Sequence, residues 1–86
     1  MRLDQWLWAI RVFKSRQLAA EAIKAERVEV DSRPSKPAHE VRPGEVVTVH
    51  YWDRDRILRV LGAPESRVPA KRVAEFAEDE RPASMA

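Results

Sequence analysis

Apolar residues recur along this chain with two different periods. Leu3, Trp6, Leu7 and Ile10 fall at i, i+3, i+4 and i+7, which predicts a first helix over residues 3–12. The helix yields near Phe13-Lys14, and Ser15 is placed to cap a second helix, because its hydroxyl can accept a free N–H of the next turn. Leu18, Ala19, Ala22 and Ile23 form the apolar stripe of that second helix. Neither helix is long enough to be stable alone, so the helix-turn-helix-like pair must pack on something. The period then changes to two. Val28-Glu29-Val30-Asp31 alternates as a half-buried strand does, and Asp31-Ser32-Arg33 reads as a hairpin turn. Pro34 and Pro37 restrict the next strand to a short edge piece. Arg42-Pro43-Gly44-Glu45 has the Pro-Gly pair of a type II turn, after which Val46, Val47 and Val49 begin the strongest strand, running to about Tyr51. A polar connection over residues 52–56 leads to a further strand over residues 57–61, closed by Gly62 and Pro64.

Pro69 can open a last helix with Ala70, Val73, Ala74 and Ala77 on one side. Glu78-Asp79-Glu80 would then sit at its C-terminal end, where the macrodipole disfavours acids, so fraying is expected there and disorder from Arg81 onward. The fold class is therefore α+β: two N-terminal helices on a small, mostly antiparallel sheet, with a short C-terminal helix. At 86 residues one domain is expected, in residues 1–62, followed by a helical segment over residues 63–80 packed on it and a tail over residues 81–86.

The net charge of +2 says little until it is divided along the chain. Residues 1–36 carry eight Lys or Arg against five Asp or Glu, whereas residues 37–86 carry eight against nine. A basic front and a near-neutral back point to one face meant for an anionic partner. On the second helix Arg16, Ala20, Lys24 and Arg27 are spaced by four, four and three, a stripe flanking the apolar face. Ser15, Arg16 and Gln17 lie at that helix's N-terminus, where free N–H groups favour an anion, with Lys14 just before them. Arg2 can join the same surface, and Arg33 and Lys36 can extend it from the first hairpin. Phosphates satisfy all of these groups at once; a solvated helix flank with incidental charges is the plainer alternative. Trp6 belongs to the core stripe, which leaves Trp8, about 200° round the helix, either to pack under the C-terminal segment or to stack on a base. Tyr51 and Trp52 have the same two readings, with packing favoured for Tyr51.

Other chemistries find little support. There is no cysteine, so no disulfide scaffold or thiolate site, which fits a reducing cytoplasm. No apolar run approaches a membrane span, and Asp4 stands where a secretory signal would be basic and then apolar. His39 and His50 are eleven apart, which argues against a metal site. With Gly44 and Gly62 the only glycines, no phosphate-cradling glycine loop can be built, and no serine sits in a nucleophile-elbow context. No catalytic residue, cofactor or metal is expected, and the chain is read as a non-enzyme.

Taken in order, Arg2-Leu3-Asp4-Gln5-Trp6-Leu7, Lys14-Ser15-Arg16 with Ala19-Ala20 and Ile23, Arg27-Val28-Glu29-Val30, Lys36-Pro37 and the run from Val41 to Val49 resemble the S4 RNA-binding domain. The run from Trp6 to Arg16, with Val60-Leu61-Gly62, Arg67-Val68-Pro69-Ala70 and Phe76, is similar more particularly to the ribosome-associated heat-shock protein 15 family. The resemblance implies a helix pair on a strongly bent sheet that binds structured RNA. It also implies association with ribosomal RNA and the large ribosomal subunit, especially subunits stalled with a nascent chain on transfer RNA. It places the RNA-binding surface on Arg2, Lys14, Ser15, Arg16, Gln17, Lys24, Arg27, Arg33 and Lys36. A monomer is expected, though the sequence does not fix oligomeric state. Two other readings stand beside it: an RNA-binding accessory subunit of an RNA-modifying enzyme, and a protein-interaction module.

This sequence departs from the family pattern at three places. Glu26 stands where the family has glycine between the second helix and first strand; if that residue takes positive φ, Glu costs about 1 kcal/mol relative to Gly. Asp31-Ser32 replaces the Asn-Gly usual in the hairpin. Where heat-shock protein 15 relatives carry a long basic extension, these 86 residues close on an acidic stretch and Ala86.

Overall fold

The computed structural model describes residues 1–80; the tail expected from Arg81 lies outside them. Helices α1 (Leu3–Ala9) and α2 (Arg16–Lys24) precede strands β1 (Val28–Val30), β2 (Arg33–Pro34), β3 (Val46–His50) and β4 (Asp55–Val60). A 3-10 turn (Ala70–Glu75) and strand β5 (Ala77–Glu80) follow. The strands form one sheet in the order β2-β1-β3-β4-β5, every neighbouring pair antiparallel. Alternation decides its faces. Val28, Val30, Val47, Val49, Leu58, Val60 and Ala77 are buried with Leu3, Trp6, Leu7, Ile10, Ala19 and Ile23 in one core. Glu29, Thr48, Ile57 and Glu80 lie in register across the other face.

The first helix ends sooner than its apolar period implies, and the second stops at Lys24, short of Arg27, for the same reason. Arg11 and Glu26 take positive φ, 67° and 60°. Around them Arg11 N–H donates to the Trp8 carbonyl and Val12 N–H to Leu7, while Glu26 N–H donates to Ile23 and Arg27 N–H to Ala22. These are two Schellman closures, in which a left-handed residue satisfies the last free carbonyls of the helix. The first helix is thereby cut at Ala9 rather than reaching Val12. Leu18, expected in the stripe of α2, is 47% exposed; Ala19 and Ile23 alone are buried, and Leu18 falls on the flank one step round.

The turns follow the sequence closely. Glu45 N–H donates to the Arg42 carbonyl (3.1 Å) and Gly44 sits at φ 95°, as a type II turn requires. Asp31 and Ser32 both have positive φ (50° and 68°), the type I′ pattern, without the Asn-Gly that suits it best. Asp31 gains something in return: its Oδ1 accepts from Val46 N–H (3.0 Å) and so ties the hairpin to β3.

The C-terminal segment differs most from expectation. Its helix is a single 3-10 stretch that ends at Glu75, and Glu78-Asp79-Glu80 does not fray from it. These residues pair with β4 in the register Arg59↔Glu78, Leu58↔Asp79 and Ile57↔Glu80. Tertiary pairing wins because Ala77 is buried against the core and the acids find bases, Arg56 with Asp79 (3.1 Å) and Arg59 with Glu80. Trp6 joins this back half to the front, its indole N–H donating to the Gly62 carbonyl at 2.9 Å.

Candidate nucleic-acid interface

The start of α1 is closed from outside the helix. Leu3 N–H donates to the His39 carbonyl (2.7 Å) and Asp4 N–H to Pro37 (3.2 Å), so the loop after β2 caps the first turn. That contact brings the chain beside Lys36 to the Arg2 end of α1. Gln5 N–H, the next free donor, is taken by Asp4 Oδ1 at 2.8 Å.

Asp4 is the buried charged residue of the core, 4% exposed, and two arginines converge on it. Arg2 grips it through Nε and Nη2 (3.2 and 3.1 Å), and Arg16 Nε lies 3.5 Å from Oδ1. Both arginine side chains remain nearly half exposed. One carboxylate thus holds two guanidinium groups, from the N-cap of α1 and the first residue of α2, in a fixed geometry and leaves a net positive charge facing solvent. The sequence reading gave Asp4 no part in the anion-binding surface. The available signal was an acid in the first turn of a helix flanked by a basic residue and an apolar stripe.

Beside this cluster α2 begins. Ser15 Oγ accepts from Leu18 N–H at 3.1 Å, confirming the cap, and the N–H groups of Arg16 and Gln17 have no acceptor among the described residues. The Ser15 hydroxyl oxygen is therefore engaged in the cap, while two backbone donors stand open at the helix start that carries the Arg16 side chain. Gln17 reaches Glu21 at 3.4 Å. Lys14, Lys24, Arg27, Arg33 and Lys36 are exposed and enter no ion pair among the described residues. The nine residues of α2 carry the stripe about 12 Å from Arg16 to the Lys24 end. Arg27 follows at its exit, where its carbonyl accepts from His50 N–H (2.7 Å). Arg33 stands apart from this line: it shares a cleft beyond the first hairpin with Asp31, Ser35, His39 and Glu45, an environment with two acids.

Trp8 is half-buried under Arg67, whose guanidinium lies 5.7 Å from the ring centre. Arg67 also donates to the carbonyls of Trp8 (3.1 Å) and Phe13 (3.4 Å), and Val68 N–H donates to Ala9 (3.1 Å). The segment after β4 therefore straps the C-terminal end of α1, and Trp8 packs beneath it.

A sequence model of the S4 domain matches residues 1–47, which hold α1, α2, β1, β2 and the start of β3. The chain belongs to the S4 domain family. It is 36% identical to the heat shock protein 15 homolog of Aeromonas salmonicida over 99% of its own length, and spans 64% of that protein. It is 33% identical to the RQC P-site tRNA stabilizing factor of Helicobacter pylori strain J99, covering 83% of this chain and 86% of that one. In structure it superposes on the trimeric heat shock protein 15 of Vibrio cholerae with a TM-score of 0.88 at 25% identity, over 93% of this chain and 81% of that one. The S4 match holds every residue of the basic surface described above, from Arg2 to Lys36.

Proposed function

We propose that this chain is a non-catalytic binder of structured RNA, acting on ribosomal RNA of the large subunit, in the handling of subunits stalled with a nascent chain on transfer RNA. The observation that carries the RNA-binding part is the Asp4 cluster: a buried carboxylate fixing Arg2 and Arg16 beside the open N–H groups of α2. Phosphate oxygens are the natural acceptors for such an array, and the line Lys14, Arg16, Lys24 and Arg27 gives a backbone a path to follow. The ribosomal part rests on the relatives' names, one of which is a P-site tRNA stabilizing factor.

Titration of labelled ribosomal RNA across a salt series tests the first part. Affinity should fall steeply as salt rises, and Arg16→Glu with Lys24→Glu should weaken it while circular dichroism stays unchanged. An affinity indifferent to salt, or unaltered in the double variant, would remove the proposed surface. Sedimentation of a lysate tests the second part: the protein should travel with large subunits, and its absence from every ribosomal fraction would defeat the ribosomal reading.

A further inference from the structure

We infer that Trp52, at the tip of the β3–β4 hairpin, is a stacking platform for one unpaired RNA base at the end of the basic flank; this rests on the RNA-binding reading. The three tryptophans have different fates. Trp6 is fully buried and Trp8 lies under Arg67, but Trp52 is 95% exposed. Its position is nonetheless held. Tyr51 N–H donates to the Arg54 carbonyl at 2.8 Å and closes the turn, while the Arg54 guanidinium lies 5.9 Å from the Tyr51 ring centre. Just before the turn His50 N–H donates to the Arg27 carbonyl, which ties the tip to the exit of α2. Trp52 lies in the turn two residues beyond His50, at most about 7 Å away along the chain. A strand whose phosphates follow Arg16, Lys24 and Arg27 therefore arrives at an open indole face.

The surroundings favour a base over a protein. A protein contact needs an apolar patch around its aromatic anchor. Here the neighbours are Asp53, Arg54, Asp55 and Arg56, and the other large exposed apolar residues among those described, Leu18 and Leu61, lie on the flank of α2 and past the far end of β4. A lone ring among charges suits one flat base, whose π-face any aromatic platform can meet, with Arg54 and Arg27 at hand for its phosphates.

The test compares two labelled RNAs, a hairpin with an unpaired loop and a blunt duplex of the same length, against the whole chain and its Trp52→Ala and Trp52→Phe variants. Loop-RNA affinity should fall by between about 5- and 100-fold in Trp52→Ala and recover largely in Trp52→Phe, with duplex affinity unchanged. Tryptophan emission should be quenched by the loop RNA in the parent and not in Trp52→Phe. Equal affinities for all three proteins, or equal losses on both RNAs, would overturn the stacking role. So would a change in the self-association of the RNA-free protein with no effect on RNA, which would make Trp52 a contact between copies. If Arg16→Glu with Lys24→Glu abolishes loop binding and Trp52→Ala leaves it unchanged, the stacking fails alone; if the parent binds neither RNA, the RNA-binding reading fails with it.

Discussion

The front and back of this molecule use the same chemical pair, arginine with carboxylate, to opposite ends. At the front one buried Asp4 serves both Arg2 and Arg16, so the acid is hidden and surplus positive charge is displayed. At the back Arg56 with Asp79, and Arg59 with Glu80, are matched one to one across β4 and β5. Those pairs neutralise each other and help hold β5 along what would otherwise be an open sheet edge. The ratio of partners and their burial distinguish a surface built for an anion from one that closes the fold.

The sharpest break in the comparison would come at Trp6, which joins the halves through its bond to Gly62. Trp6→Ala should destabilise the protein by about 3–5 kcal/mol, as loss of a buried aromatic does. In denaturant both halves should unfold in one shifted transition; two separate transitions would show that front and back are independent units. Next in size is Asp4→Asn. It keeps the shape and a carbonyl oxygen for Gln5 N–H but releases both arginines, with an expected stability loss of about 1–2 kcal/mol. RNA affinity should fall although the net charge rises by one, because the guanidinium groups lose their fixed geometry. An affinity that rises would show that charge alone matters. The counterpart at the back, Asp79→Asn, removes a half-exposed pair and should leave RNA affinity unchanged.

A smaller effect, of opposite sign, is expected at the exit of α2. Glu26 holds φ 60° in the Schellman closure, so Glu26→Gly should stabilise the protein by about 1 kcal/mol in chemical denaturation. It also removes an acid beside Arg27 and should tighten RNA binding at low salt.

Glu26 shows how far the sequence could be read. The helix pair, the β1–β2 hairpin, the type II turn at Gly44 and the β3 and β4 strands were legible because period and turn chemistry are local signals. The φ of Glu26 was readable only as a condition, since an acid at a glycine position does not declare its own backbone angle. What stayed hidden depends on residues far apart in the chain. Ala77-Glu78-Asp79-Glu80 has a helix-compatible composition, and its strand state comes from Arg56, Arg59 and the core some twenty residues earlier. The basic stripe was visible from spacing on one helix, but the burial of Asp4 needs the loop through His39 and the meeting of two helices. Arg33, grouped with the stripe from its charge, is set by β2 in a different, partly acidic cleft.

The smallest expected effect lies between the two regions, at His50. Its Nδ1 meets Asp55 (2.6 Å) and its Nε2 meets Glu29 (3.2 Å), linking β1, β3 and β4 on the outer face of the sheet. Hydrogen bonds to Asp55 and then Glu29 raise its pKa above the ordinary histidine value, against a weaker opposing effect of burial. A raised folded-state pKa means that the charged ring contributes stability fully at pH below about 6.5, and that this is lost as pH rises through the folded value. The ring is over a third exposed, so solvent screens the pair and the contribution should be no more than about 0.5 kcal/mol. Thermal melts of the parent and of His50→Gln should therefore differ more at pH 6 than at pH 9, and added salt should narrow the gap at pH 6. The same variant should leave RNA affinity at pH 9 unchanged, because the neutral ring adds no charge to the flank. A stability gap that widens as pH rises would mean the ring is held in its neutral form and that Asp55 and Glu29 serve another partner.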